Sequence, residues 1–98
     1  MTLSAEKPQF GVLAGLRVVH ATTTVAGPFA AGLMADFGAG VVWIENPRFP
    51  DGIRTEWPGE PERRNQRTIA LNAGAPEGRE VLARLLQATD VFIESSKI

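Results

Sequence analysis

The stretch from residue 16 to residue 46 constrains the fold of this 98-residue chain more than any other feature. It opens with LRVVHA, a β-branched run that is typical of a strand. The Gly27-Pro28 pair then predicts a helix start, because proline at the first helical position gives up no hydrogen bond. After Gly38 the run VVWIE is almost wholly apolar, as in parallel strands covered on both faces. The stretch therefore predicts a strand–helix–strand crossover.

The predicted helix carries its large apolar residues at helical spacing. They recur at i, i+4, i+5 and i+8 and therefore fall on one helical face: Phe29, Leu33, Met34 and Phe37.

The second half of the chain repeats this pattern after an interruption. Residues 47–66 contain four prolines and two glycines, and long irregular connections in compact domains are often functional. Residues 67–72, RTIALN, predict a third strand, and residues 91–96, VFIESS, predict a fourth. Between them, residues 75–90 predict a helix that begins near Pro76. Its buried face is formed by Val81, Leu82, Leu85 and Leu86.

The order of these elements, β-α-β-loop-β-α-β, predicts an α/β fold with a Rossmann-like, doubly wound parallel sheet. Two helices cannot cover both faces of four buried strands. We therefore expect residues 1–98 to form an incomplete domain that belongs to a larger one.

Composition narrows the classes of partner and site that we expect. Ten basic and 11 acidic residues give a net charge of −1, which favours neither nucleic acid nor an anionic membrane as a partner. The chain has no cysteine and a single histidine, so we expect no disulfide and no metal site. The sequence carries no signal-peptide pattern and no apolar run of membrane-spanning length, and we expect a cytoplasmic protein.

The turn before the first helix raises the possibility of a nucleotide site, because a pyrophosphate can approach a helix N-terminus there. The dinucleotide fingerprint G-x-G-x-x-G is absent, since the turn reads TTTVAGPFAAG. Glu45 could act as a ribose-binding acid or be an ordinary strand-end carboxylate. His20 is either an acid-base candidate or a packed strand residue. Lys97 could meet a phosphate at the end of the fourth strand or be a solvated charge.

Four segments resemble the amino-terminal part of family III CoA-transferases: FGVLAGLRVVHATTTVAGPFAAGLMADFGAGVVWIEN, RRNQRTIALN, PEGREVLARLLQATDVFIE and SSK. The similarity runs from Phe10 to Lys97. The SSK form resembles the bacterial crotonobetainyl/γ-butyrobetainyl-CoA:carnitine branch. The resemblance implies that residues 1–98 are a CoA-binding segment of a chain several times longer. It also implies an interlocked homodimer that moves CoA between an acyl-CoA and a small carboxylic acid, or in relatives racemises a 2-methylacyl-CoA.

The resemblance also implies which residues meet CoA. The turn after the first strand, the second-strand end, the third-strand exit along the adenine and the fourth-strand exit are the contact regions. At the second-strand end this chain has asparagine where many members have a CoA-contacting arginine. The matching positions are Val25, Ala26, Asn46, Leu71, Asn72, Ser95, Ser96 and Lys97.

The family's nucleophile is an aspartate that attacks the thioester by covalent carboxylate catalysis. It falls beyond residue 98, and Asp36, Asp51 and Asp90 do not match it. We therefore expect no catalytic residue in these 98 residues and no transferase activity from them alone. Two alternatives stay open: a nucleotide-binding dehydrogenase module, and a non-catalytic truncated paralogue that pairs with a full-length homologue through its sheet edge.

Overall fold

The computed structural model describes residues 10–23, 26–47 and 65–95. These residues form a four-stranded, wholly parallel sheet with strand order β3-β2-β1-β4. The α/β parallel fold expected from the sequence is confirmed. In chain order the elements are β1 (Arg17–Ala21), α1 (Ala26–Asp36), β2 (Gly40–Glu45), β3 (Arg67–Ala70), α2 (Pro76–Gln87) and β4 (Val91–Glu94).

The two helices lie on opposite faces of the sheet. Neighbouring residues of a strand point to opposite faces, and in β1 and β2 they contribute to two different apolar clusters, one beneath each helix. The cluster on the α1 side contains Val18, Ala31, Ala35, Ala39 and Val41. The cluster on the α2 side contains Val19, Val42, Ile44 and Leu85.

The central and outer strands differ in burial as this arrangement requires. All six residues of β2 are buried, which confirms a strand covered on both faces. Residues of the outer strands β3 and β4 alternate between half-buried and exposed, because one face of each strand packs against an apolar cluster, through Ile69 in β3 and through Val91 and Ile93 in β4. β3 ends at Ala70 and β4 at Glu94, two residues earlier than the sequence predicts in each case.

The orientation of α1 differs from what its large apolar residues suggest. Phe29, Leu33 and Phe37 are 53%, 44% and 54% exposed, and Met34 is half-buried. The buried face consists of small or compact residues, namely Pro28, Ala31, Gly32 and Ala35. Small side chains let the helix backbone approach the sheet closely, which turns the bulky ones outward. The helix also begins at Ala26, so Pro28 lies within its first turn and not at its first position.

The interpretation of α2 agrees better with the structure. The helix begins at Pro76, and Leu85 is buried with Leu82 and Leu86 packed beside it. Val81 was expected on the buried face but is 41% exposed. The helix ends where the Ala88 N–H bonds back to Leu85.

A charged clamp joins β1 and β4 at their amino ends. The Arg17 guanidinium donates to both oxygens of the Asp90 carboxylate at 3.1 and 3.2 Å. The backbone N–H of Arg17 donates to the same carboxylate at 2.9 Å, and the Asp90 N–H donates to the Arg17 carbonyl. The clamp therefore fixes where the outer strand β4 begins.

Candidate functional site

An open cleft of about 270 Å³ lies at the carboxyl ends of β1, β2 and β3. In open α/β sheets ligands bind outside this edge of the strands, so the cleft is the candidate site. Its walls are the last strand residues and the residues that follow them: Ala21, Thr22, Thr23, Trp43, Ile44, Glu45, Asn46, Leu71, Ala73 and Gly74.

Two of the predicted CoA-contacting residues, Asn46 and Leu71, form part of this cleft. Asn46 is exposed directly after β2, whereas Leu71 is half-buried and its N–H donates to the Glu45 carbonyl at 2.8 Å. Asn72 stands next to the cleft, where its Oδ1 accepts a hydrogen bond from the Gly74 N–H at 3.0 Å. The exits of β2 and β3 thus line the same cleft.

The other predicted contacts are less central or lie elsewhere. Ala26 is the exposed first residue of α1, and it is not among the residues that line the cleft. Ser95 is exposed after β4, on the same edge of the sheet, because Glu94 pairs with Ala21. Val25, Ser96 and Lys97 lie outside the described residues.

A buried polar network holds the exit of β1 beneath the cleft. His20 is fully buried, and its Nδ1 lies 2.7 Å from the Thr22 hydroxyl oxygen. The Trp43 indole N–H donates to the Thr22 carbonyl at 3.0 Å, and the His20 and Trp43 rings lie 4.8 Å apart. The other ring nitrogen of His20, Nε2, lies 2.8 Å from Oε1 of Gln66. Of the two hypotheses for His20, an acid-base residue or a packed strand residue, the structure supports the packed strand residue.

The same network sets the position of α1. A Cβ at Gly27 would overlap the Thr22 side chain, so the first turn of the helix rests directly on that residue. Because Thr22 is held through both its hydroxyl and its carbonyl, the helix N-terminus is fixed beside the cleft.

The cleft offers hydrogen-bonding groups of a particular kind. Glu45, the last residue of β2, is 7% exposed, and both Glu45 and Asn46 line the cleft. Among the described residues that line the cleft there is no lysine or arginine. This arrangement suits ribose hydroxyls and ring nitrogens, which are neutral, better than a phosphate.

Neither of the described aspartates lies at this edge. Asp36 ends α1 and Asp90 precedes β4, so both are at the amino end of the sheet, opposite the cleft. Asp51 lies outside the described residues.

The part of the chain that the structure describes holds no cluster of three or more His, Cys, Asp or Glu suited to a metal. No helix in that part is long and apolar enough to cross a bilayer.

A second cavity of about 390 Å³ lies between α2 and the strands β2 and β3. It is bounded by Arg67, the first residue of β3, and by Ala88, just after α2. Both positions lie toward the amino ends of the strands, away from the edge where ligands bind in this fold.

Sequence reasoning missed several residues that shape the site. In the sequence Thr22 belongs to a run of three threonines and Trp43 to an apolar strand, and neither pattern predicts a role at the site. Gln66 carries no local signal, because its partner His20 is 46 residues away.

Comparison with known proteins agrees with this fold. The sequence model of CoA-transferase family III matches residues 13–98. A CAIB/BAIF family protein from Brucella suis is 33% identical with a TM-score of 0.80, over 91% of this chain and 27% of its own. A mutant of Rv3272 from Mycobacterium tuberculosis is 25% identical with a TM-score of 0.74, over 87% of this chain and 25% of its own. This chain thus spans about a quarter of the length of these solved structures. On its sequence and its fold together, the chain belongs to CoA-transferase family III.

Proposed function

We propose that this chain is the CoA-binding, amino-terminal segment of a family III CoA-transferase of the carnitine branch. The observation that carries the proposal is the cleft at the carboxyl ends of β1, β2 and β3, in which Asn46 and Leu71 meet. In a chain that belongs to this family, CoA is the nucleotide expected at such an edge.

The chemistry of the cleft suggests which part of CoA lies in the cleft and which part lies beside it. The carboxyl of Glu45 and the amide of Asn46 can bond the ribose and the adenine, and Leu71 supplies apolar contact. The phosphates are repelled by a carboxylate, so we place them toward the first turn of α1 and the β4 exit. In that arrangement Ala26 and Val25 contact the pyrophosphate through backbone groups, and Ser95, Ser96 and Lys97 supply polar and cationic contacts.

The reaction proposed for the whole enzyme needs a residue outside these 98. An aspartate attacks the acyl-CoA thioester, so that a mixed anhydride forms and the CoA thiolate leaves. The thiolate then attacks the aspartyl carbonyl, which releases the acyl carboxylate and leaves an aspartyl-CoA thioester. The incoming carboxylate takes CoA by the reverse sequence. We propose γ-butyrobetainyl-CoA or crotonobetainyl-CoA with carnitine as the pair, in a cytoplasmic, interlocked homodimer.

Calorimetry with CoA tests the proposal. Asn46→Asp adds a negative charge to the cleft wall and is expected to weaken CoA binding several-fold. Gln87→Glu is the matched control, because it adds the same charge at the exposed end of α2 on the opposite edge of the sheet. Lys97→Ala should also weaken binding. Binding of NAD in preference to CoA, or equal affinity in both charge variants, would contradict the proposal.

A non-catalytic role remains the second candidate. β4 is an outer strand of the described sheet, and its Phe92 is 43% exposed, which suits pairing with a full-length homologue. Recovery of such a homologue in a pull-down, with no CoA affinity in this chain, would favour this role.

A further inference from the structure

We propose that His20 is a positioning residue for the candidate CoA site, which it acts on through the hydroxyl of Thr22. The inference rests on the proposed function, and it adds a specific hydrogen bond that sets the shape of the site. His20 itself lines no part of the cleft.

The hydrogen bonds assign the proton on the ring. A glutamine Oε1 can only accept, so Nε2 of His20 carries the hydrogen and donates to Gln66 at 2.8 Å. Neutral imidazole then has a lone pair on Nδ1, which accepts the Thr22 hydroxyl at 2.7 Å. The two nitrogens therefore have different roles, with one facing each partner.

The partners of His20 belong to two different connections of the fold. Thr22 is the first residue after β1 and a wall of the cleft. Gln66 is the last residue before β3, and its neighbour Asn65 donates to the Ala35 carbonyl of α1 at 3.0 Å. Residues 65 and 66 therefore lie on the α1 side of the sheet, where alternation from Val18 also places His20.

Of these two hydrogen bonds of His20, the one to Thr22 reaches the cleft. Its hydroxyl is fixed by His20 and its carbonyl by Trp43, and Gly27 packs against its side chain. Loss of the hydroxyl contact frees the Thr22 side chain to turn and shifts the first turn of α1. The hydrogen bond to Gln66, in contrast, anchors the amino end of β3, which is the end of that strand away from the cleft.

Two substitutions separate these contacts. An asparagine amide can occupy the place of Nδ1, so His20→Asn keeps a partner for Thr22 and loses the one for Gln66. A glutamine amide reaches the place of Nε2, so His20→Gln does the opposite. Both remove the ring from beside Trp43, so the loss of packing is matched.

We expect His20→Gln to weaken CoA binding about fivefold to tenfold relative to His20→Asn, since one net hydrogen bond changes. Thr22→Val, which removes the hydroxyl at nearly constant shape, should match the loss, and Thr22→Ser should retain affinity. Adding Thr22→Val to His20→Gln should cost little more, because both remove the same contact. When the unaltered chain binds CoA, equal affinity of the two His20 variants, or additive losses, would overturn the proposal.

Amide hydrogen exchange across residues 22–27 of the full chain, without ligand, distinguishes this inference from the proposed function. Faster exchange in His20→Gln and Thr22→Val than in His20→Asn and Thr22→Ser supports the positioning role, even if the unaltered chain binds no CoA. In that case the proposed function fails and the positioning role stands. Equal exchange in all variants overturns the positioning role, whatever the affinity for CoA. If a His20 variant does not fold, the Thr22 pair decides the matter.

Discussion

Single residues decide how closely each helix approaches the strand exit that precedes it. Gly27 lies in the first turn of α1 against Thr22, and Gly78 lies in the first turn of α2 against the Asn72 carbonyl. Glycine in a helix lowers stability by roughly 0.5–1 kcal/mol relative to alanine. A glycine at each of these two positions is explained by packing, because a Cβ there would overlap the neighbouring strand exit. The sequence pointed to Gly27 as a helix start, whereas Gly78 carried no signal apart from the residue type.

Replacement of Gly78 by alanine tests this packing. Helix propensity alone predicts a gain in stability, but the new Cβ would overlap the backbone carbonyl of Asn72, which cannot rotate away. We expect a loss of about 1–3 kcal/mol in the free energy of unfolding, measured by urea titration. Arg79→Ala, at the exposed next position, serves as control and should change the value by less than about 0.5 kcal/mol. A more stable Gly78→Ala variant would refute this account.

The Arg17–Asp90 clamp predicts a dependence of stability on pH. The hydrogen bonds from the Arg17 side chain and backbone hold the pKa of the Asp90 carboxyl below its ordinary value. A lowered pKa in the folded state stabilises the fold above the ordinary aspartate range, and this contribution is lost as the pH falls through the folded-state pKa. Asp90→Asn should therefore lower the melting temperature at pH 7, with the difference shrinking in acid. A difference that is unchanged or grows in acid would argue against the clamp.

At the scale of elements, the two helices show when an apolar pattern identifies the buried face. In α2 the three leucines fall at i, i+3 and i+4, so the predicted face is the one that packs, apart from Val81. In α1 small and large apolar residues surround the helix on several sides, and the large ones lie outward. The choice of face is made by the sheet surface, where β1 and β2 lie too close to the helix for bulky side chains.

Enlarging the small face of α1 should therefore destabilise the fold more than trimming its large residues. Ala31 is fully buried between helix and sheet, and Ala31→Leu is expected to cost about 1–3 kcal/mol of unfolding free energy. Leu33→Ala, at a position 44% exposed, should cost less than about 1 kcal/mol. Denaturant titration of both variants gives the comparison, and the reverse ranking would mean that α1 packs by its large residues.

On the scale of the whole molecule, the described fold is one sheet with one helix on each face and its candidate site on one edge. This chain covers only about a quarter of each of the solved relatives. The two described aspartates lie on the edge opposite the cleft, so neither contacts a ligand bound in the cleft. We therefore propose that binding and chemistry are divided between this segment and the rest of the enzyme.

This division predicts that the 98 residues bind CoA without transferring it. With γ-butyrobetainyl-CoA and carnitine as substrates, we expect no carnitinyl-CoA above the level without protein, measured by mass spectrometry. The same preparation should show CoA affinity by calorimetry, which controls for folding. Product formation that scales with the concentration of this chain would contradict the division.

The sequence by itself determined the order of elements, the parallel sheet, the doubly buried β2 and the packed face of α2. These features follow from local patterns, such as apolar runs and helical spacing, which act over a few residues. The tertiary structure alone decided that Thr22, Asn46 and Leu71 share one cleft, that His20 meets Gln66, and that α1 packs by its alanines. Those outcomes depend on strand order and on the distance between helix and sheet, which bring together residues that no local pattern connects.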